Sequence, residues 1–335
     1  MLKELCLLNG ASGDEDRVRD YIIEQIKDYC DYQVDALGSV IAFKKGKKTP
    51  AKKVSVNAHM DEVGFIITHI TEEGYLRFSP VGGIDPRVCI DRVVAIGENG
   101  VKGVIGDKAF HLLDDDERKT NPGFDKLLID IGATSKEEAE AAVSLGDFAY
   151  FVSDYYEFGN GFIKSKALDD RIGCMLMIEL IQGELAYDTW FCFNVQEEVG
   201  LRGSTCTANR VNADVAVILE STTAADLDGV TGADKVCCLG NGPVVSFMDR
   251  RTIYDKELYR SARKLADENG IPCQTKTAVA GGNDAGAIQT AAGGARVLAI
   301  SVPSRYIHSG ASVVKKEDID NTRKLLGLLS TTLYD

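Results

Sequence analysis

No stretch of this sequence stays apolar for the roughly 20 residues that a membrane-spanning helix needs. The opening residues, MLKELCLLNGASGDEDRVRD, hold one lysine, a very short apolar patch and then acids, so they do not read as a secretory leader. Basic residues are outnumbered, 38 against 51 acids, for a formal net charge of -13. That balance sets aside nucleic acid and anionic membrane surfaces as partners. The nine cysteines contain no CxxC pair. A zinc ribbon and a regular disulfide framework are therefore not expected, and the thiols read as small apolar residues in a reducing cytoplasm. Internal repeats and low-complexity segments are missing too.

What is present is enough for a large core: 335 residues, 44% of them hydrophobic. Four apolar runs of strand length end abruptly in polar residues: KVSVNAH (53–59), TWFCFNVQEE (189–198), DVAVILE (214–220) and ARVLAISVPSRYIH (295–308). None alternates cleanly, so each is expected to be buried on both faces. Helical spacing lies between and around them. Val18, Ile22 and Ile26 share a face in 14–29; Ile172, Met175, Leu176 and Leu180 do so in 170–182. Further helices are expected over 255–269, stopped by Gly270, and over 317–329 with Leu325, Leu328 and Leu329. The single Trp190 reads as core. This alternation predicts an α/β fold with a mixed, largely parallel sheet flanked by helices.

The segment 65–152 differs. It has short alternating strands, frequent glycines and no strong helix before residue 135. Asn99-Gly100 between two β-rich runs signals a hairpin. We read residues 1–64 plus 153–335 as one α/β domain and 65–152 as a small β-rich domain inserted into it.

Ligands of open α/β sheets bind beyond the carboxyl ends of the strands. Those ends carry His59 with Asp61 two residues on, the adjacent pair Glu197 and Glu198, Glu220, and His308. Asp169 lies just before a helix. Two of only four histidines and several carboxylates therefore converge, without a thiolate, as suits two ions of Zn²⁺, Mn²⁺ or Co²⁺. Neighbours in a strand point to opposite faces. Glu197 and Glu198 can share a site only if the strand has ended, with Gly200 and Gly203 permitting the bend. One glutamate can bind metal while the other takes a proton from a metal-activated water. Taken singly, each residue has a plainer role: a solvated turn for Glu197 and Glu198, a helix N-cap for Asp169, a structural histidine at 59, a surface carboxylate at 220, a loop cap at 308. His69 reads as an exposed strand position, and 114–117 as a solvated acidic loop.

HMDEVGF, KALDDRIG, QEEVGLRG, GGNDAGAI and RYIHS, in order and spacing, resemble the TET-type dinuclear metallo-aminopeptidases, a family of glutamyl, leucyl and lysyl aminopeptidases. Some of its members carry the older label endoglucanase or cellulase M. The resemblance covers essentially the whole chain, insert included. It implies a metallo-exopeptidase fold and two divalent ions per subunit, Zn²⁺ first, Co²⁺ or Mn²⁺ in its place. Asp169 would bridge them, His59 and Glu220 completing one set and Glu198 and His308 the other. Glu197 would be the general base, and Asp61 would orient His59. Gly282 and Asp284 would contact substrate, Asp284 by helping to hold the substrate's α-amine. A cis peptide is implied between Asp169 and Asp170. The partners implied are short peptides with a free N-terminus and other copies of the chain, paired through the insert; some relatives stop at such dimers, and in others six dimers build a tetrahedral dodecamer. His111 would be structural or lie between subunits. Two departures stand out. The family usually has aspartate where this chain has Glu220, and its GGTDA reads GGNDA here, with Asn283. Two rivals remain: a glycosidase, which needs two carboxyl groups and no metal, and a degenerate scaffold without catalysis.

Overall fold

Four of the apolar runs become adjacent parallel strands. In the computed structural model, which describes residues 1–334, Thr189–Asn194, Val54–His59, Val215–Thr223 and Arg296–Ser304 lie side by side in that order. They pair in parallel. Asp31–Val34 and Val40–Lys44 extend the sheet on one side, and Val244–Val245 and Gln274–Thr275 on the other, making eight strands. The central strands are buried along nearly their whole length. The reason is that both faces are covered by other elements. One face packs on helices Asp16–Ile26, Leu168–Gln182, Lys256–Glu268 and Lys316–Leu329. The other meets Arg202–Val211 and the short turn Ala285–Ile288. Helix Leu168–Gln182 is buried almost all round, so its core positions exceed one stripe, and Leu180 sits at its margin. Trp190 is half-buried rather than core: it packs on Phe43, and the Lys53 ammonium lies over its ring.

Residues Gly64 to Phe151 contribute six antiparallel strands that close into a barrel. Phe65, Ile67, Leu76, Phe78, Ile105, Ile129 and Phe151 fill its interior. Phe65 meets the rings of Phe78 and Phe151 edge-on, both at 5.1 Å. Val93–Ile96 and Val101–Gly106 form the hairpin around Asn99-Gly100, with Gly97 and Gly100 at positive φ. A third sheet joins Tyr156–Phe158, Phe162–Ser165 and Ser312–Lys315. His69 is exposed on its barrel strand. All nine cysteines are free thiols. Among the described residues, no helix is long and apolar enough to cross a membrane.

Asp255 shows how local chemistry fixes an element. Its Oδ1 accepts from the Glu257 and Leu258 N–H groups, both at 2.9 Å, capping helix Lys256–Glu268. Its carboxylate also takes a two-pronged contact from Arg296, at 2.8 and 2.9 Å. Arg296 holds the Asp255 carboxyl down at about 2. The stabilisation is thus complete above the unfolded carboxyl's pKa of about 4 and is lost as pH falls through about 2. Asp255→Ala should cost about 1–2 kcal/mol at pH 7. Denaturant titrations should show that deficit shrinking between pH 4 and 2; a deficit that is constant with pH would refute the ionic part.

Candidate active site

The sheet register itself assembles half of the site. Val215 pairs with Val54 and Ile218 with Asn57. Continuing that offset by two residues brings Glu220 level with His59 at the carboxyl edge. Asn194 pairs with His59 on the other side and is the last residue of its strand. Beyond it the chain leaves the sheet, as two adjacent glutamates in one site demand. Gln196 and Leu201 have positive φ, and Gly200 lies at +120°. Gly203 packs so closely that a Cβ would fall 2.4 Å from the Val195 carbonyl oxygen.

Two buried carboxylates hold this loop. The N–H groups of Gln196, Glu197 and Glu198 donate in succession to Glu15 Oε1 (2.9 Å), Asp61 Oδ1 (3.0 Å) and Asp61 Oδ2 (3.1 Å). Ser12 Oγ also donates to Asp61 Oδ2, at 2.6 Å. Burial would raise the Asp61 carboxyl, but His59 and these donors hold it low. Burial, reinforced by the charge of Asp61, pushes Glu15 up to about 7. Sequence reading missed Glu15. It lies in a helix-start pattern and looks like a surface acid.

The two histidines are oriented alike. His59 Nδ1 donates to the Asp61 carbonyl at 3.0 Å, and its distance to the Asp61 carboxylate is 3.5 Å. His308 Nδ1 donates to the Gly83 carbonyl of the barrel segment at 2.8 Å. A carbonyl only accepts, so both rings carry hydrogen on Nδ1 and present Nε2 to the cavity. His308 is not on the strand expected to end near it. Arg296–Ser304 stops four residues earlier, and His308 sits in a loop at φ 58°.

Asp169 stands between the rings. Its Oδ1 is 3.4 Å from His59 Nε2, and its Oδ2 is 3.4 Å from His308 Nε2. Glu220 Oε1 is 3.4 Å from His59 Nε2, and Glu198 Oε1 is 3.1 Å from His308 Nε2. Bonds of about 2.0–2.1 Å in a tetrahedral site put neighbouring donor atoms about 3.3–3.4 Å apart. The side chains thus form two donor sets at that spacing, sharing Asp169. Asp169 Oδ1 is also buried without a hydrogen-bond partner. Asp170, not Asp169, caps the helix: its Oδ1 accepts from Gly173 N at 3.0 Å. The Asp169-Asp170 peptide is cis. Asp170 also approaches His59 and Glu220, but it does not line the cavity.

These side chains line one cavity of about 290 Å³, together with Glu197, Gly282 and Asn283. Burial, then the charges of Glu198, Asp284 and Asp61, push Glu197 well above the carboxylate range, with His59 opposing. Burial would lower His308, but Asp169 and Glu198 push it up to about 11. Asp284 is fully buried behind the site, where its Oδ2 accepts from Asn194 Nδ2 at 2.8 Å. It is not among the residues lining the cavity. Asn283 exchanges hydrogen bonds with the Tyr254 hydroxyl and accepts from Ala285 N, so its amide is engaged within the protein. His111 is exposed and away from the cavity.

Fold and site together define an α/β protein with two candidate metal-donor sets sharing Asp169 at the carboxyl edge of its sheet. Residues 38–325 match the family described as M42 glutamyl aminopeptidase, and the chain belongs to that family. A lysyl aminopeptidase of Pyrococcus furiosus is 34% identical, across 97% of this chain and 94% of its own. A solved TET1 peptidase of Pyrococcus horikoshii, described as able to assemble into a tetrahedron or a large octahedral shell, is 38% identical. It superposes with a TM-score of 0.86 over 98% of each chain. A Thermotoga maritima structure described as an endoglucanase is also 38% identical, with a TM-score of 0.81 over 98% of this chain and 96% of that one.

Proposed function

We propose that this aminopeptidase works through two divalent ions and releases N-terminal residues from short peptides, with Glu197 as general base. The observation that carries this reading is Asp169, whose two oxygens each face a different histidine at 3.4 Å. Asp169 would bridge the ions, His59 and Glu220 holding one and Glu198 and His308 the other. The nitrogen and oxygen donors suit Zn²⁺ first, then Co²⁺ or Mn²⁺. When bound, the ions supply Lewis-acid polarisation of the scissile carbonyl and acidify the attacking water. Glu197, which lines the same cavity, would take the attacking water's proton and return it to the departing amine. Asp61 acts by support, fixing the backbone that aims Glu197 and Glu198 while its carbonyl orients His59. Gly282 contributes cavity wall beside the substrate, and Asp284 acts from behind it.

The glycosidase reading leaves His59 and His308 without a role, since sugar-bond hydrolysis by paired carboxyls uses no imidazole. The degenerate-scaffold reading rests on Glu220. That glutamate lies as close to His59 as Asp169 does.

Chelated protein should lose, and Zn²⁺, Co²⁺ or Mn²⁺ should restore, stepwise release of N-terminal residues from a panel of unblocked short peptides. Absence of release with two ions bound would sink the reading. Cellulose hydrolysis that survives chelation would favour the glycosidase, and far fewer than two ions per chain the scaffold. Residues 65–152 would serve as the dimerisation domain, with six dimers forming a tetrahedral dodecamer. Exposed Phe110 and Leu112, flanking His111, support an interface there. The free thiols fit the cytoplasm as its place of work.

A further inference from the structure

Where the chain leaves strand Thr189–Asn194, four backbone N–H groups in a row are captured by side chains from elsewhere. Val195 N–H donates to Ser39 Oγ at 3.3 Å and Gln196 N–H to Glu15 Oε1 at 2.9 Å. Those of Glu197 and Glu198 donate to Asp61, at 3.0 and 3.1 Å. Glu15 is the member of this set with no local task. It stands at the N-cap of helix Asp16–Ile26, where a side-chain oxygen ordinarily accepts from its own helix. The Glu15 carboxylate makes no such bond. It is buried instead, 5% exposed, and reaches a residue 181 positions along the chain.

The residue it reaches is strained. Gln196 sits at φ 55°, a left-handed conformation that such a side chain keeps where its surroundings hold it. That turn decides where the next side chains go. In a continued strand Glu197 and Glu198 would point to opposite faces. With Gln196 turned, both line the cavity. Glu15 in its turn sits on a segment pinned from several sides. Gly10 N–H donates to Glu62 Oε1 at 3.2 Å, and Ser12 Oγ to Asp61 Oδ2 at 2.6 Å. The Tyr150 hydroxyl, on the barrel's last strand, donates to Asp14. Burial and the like charge of Asp61 both work against an ionised Glu15. Stability alone therefore gives no reason for a carboxylate at this position, whereas the hold on Gln196 does.

We propose that Glu15 is a positioning residue for the reaction: by holding Gln196 in its left-handed turn, it aims the Glu197 carboxylate into the cavity. This rests on the reading of Glu197 as general base. Glu15 does not itself line the cavity, so it acts through Glu197. Its removal leaves the two bonds from Asp61 to the N–H groups of Glu197 and Glu198 in place. The metal donor Glu198 thus stays anchored, and the effect falls on turnover rather than on metal binding.

The test combines steady-state kinetics, metal analysis and amide hydrogen exchange on the metal-loaded full chain. Glu15→Ala should lower kcat by about 10- to 100-fold, with KM little changed and two ions per chain retained. Glu15→Gln keeps an acceptor oxygen for Gln196 and should recover most of the rate. In a Glu197→Gln background, Glu15→Ala should cost less than about 2-fold more, since the group it aims is already gone. Three results would overturn the proposal: an unchanged kcat in Glu15→Ala, a Glu15→Gln as impaired as Glu15→Ala, or the same fold-loss in both backgrounds. Loss of bound ions along with kcat would also overturn it, by making Glu15 structural. Amide exchange over residues 194–200 needs no turnover. It should quicken in Glu15→Ala and not in Glu15→Gln; unchanged exchange in Glu15→Ala refutes the hold on the loop. Failure of the general-base reading looks different: Glu197→Gln alone then keeps its rate, whatever the exchange shows.

Discussion

Replacing Glu197 with glutamine is expected to lower kcat by about 10²- to 10⁴-fold while two metal ions per chain stay bound. The substitution is nearly isosteric. It leaves the Glu197 N–H bond to Asp61 in place, and with it the loop that positions Glu198. None of the four donor contacts at Asp169, Glu198, Glu220 and the histidines involves the Glu197 side chain. Lost is the group that takes and returns a proton. Burial and neighbouring acids raise Glu197 above the usual carboxylate range, the direction that strengthens it as a base. Two divalent ions nearby would draw it back down. Steady-state kinetics and metal analysis on the same preparation decide the matter. A kcat within a few-fold of wild type would remove Glu197 from the chemistry. A lost kcat with lost metal would make it a ligand instead.

The parts of this site that were legible in the sequence belong to uniform elements. His59 and Glu220 end short runs of strand length, rich in valine, that are buried on both faces. Once they are strands, the carboxyl-edge rule gathers their ends. Glu197 and Glu198 were legible because two like charges side by side call for a cation and for a broken strand. Other features were not legible, for physical reasons. His308 lies in a loop of left-handed backbone, where no periodic signal marks a boundary. Asp284 shares its motif with cavity residues but turns into the protein toward Asn194. Trp190 is apolar in a strand that is otherwise core, yet its ring packs near the edge of a small cluster. Glu15, Glu62, Lys166 and Arg171 are charged residues in polar contexts. Their burial depends on partners far along the chain, which local spacing does not encode.

Those distant partners give the second large expected effect. Glu62→Ala should destabilise the folded chain by about 3–5 kcal/mol, because it strands two buried cations. Lys166 Nζ donates to Glu62 Oε1 at 2.5 Å and to the Leu8 carbonyl at 2.9 Å. Arg171, wholly buried, donates to the carbonyls of Met60 (2.7 Å), Leu5 (2.5 Å), Leu8 (3.3 Å) and Gly10 (3.4 Å). Its guanidinium also stands 3.7 Å from Glu62. The network joins the N-terminal segment, the Met60–Glu62 loop after His59, and the helix that begins beside Asp169. Removing its one carboxylate should therefore weaken metal binding as well as folding. Denaturant unfolding of metal-free protein measures the first effect, and metal titration the second. The double variant Glu62→Ala with Lys166→Met should cost less than the two singles added together, since the second change removes a charge the first left unpaired. Additive losses, or a Glu62→Ala cost under about 1 kcal/mol, would mean that the backbone carbonyls alone satisfy the two cations, and that the carboxylate is dispensable.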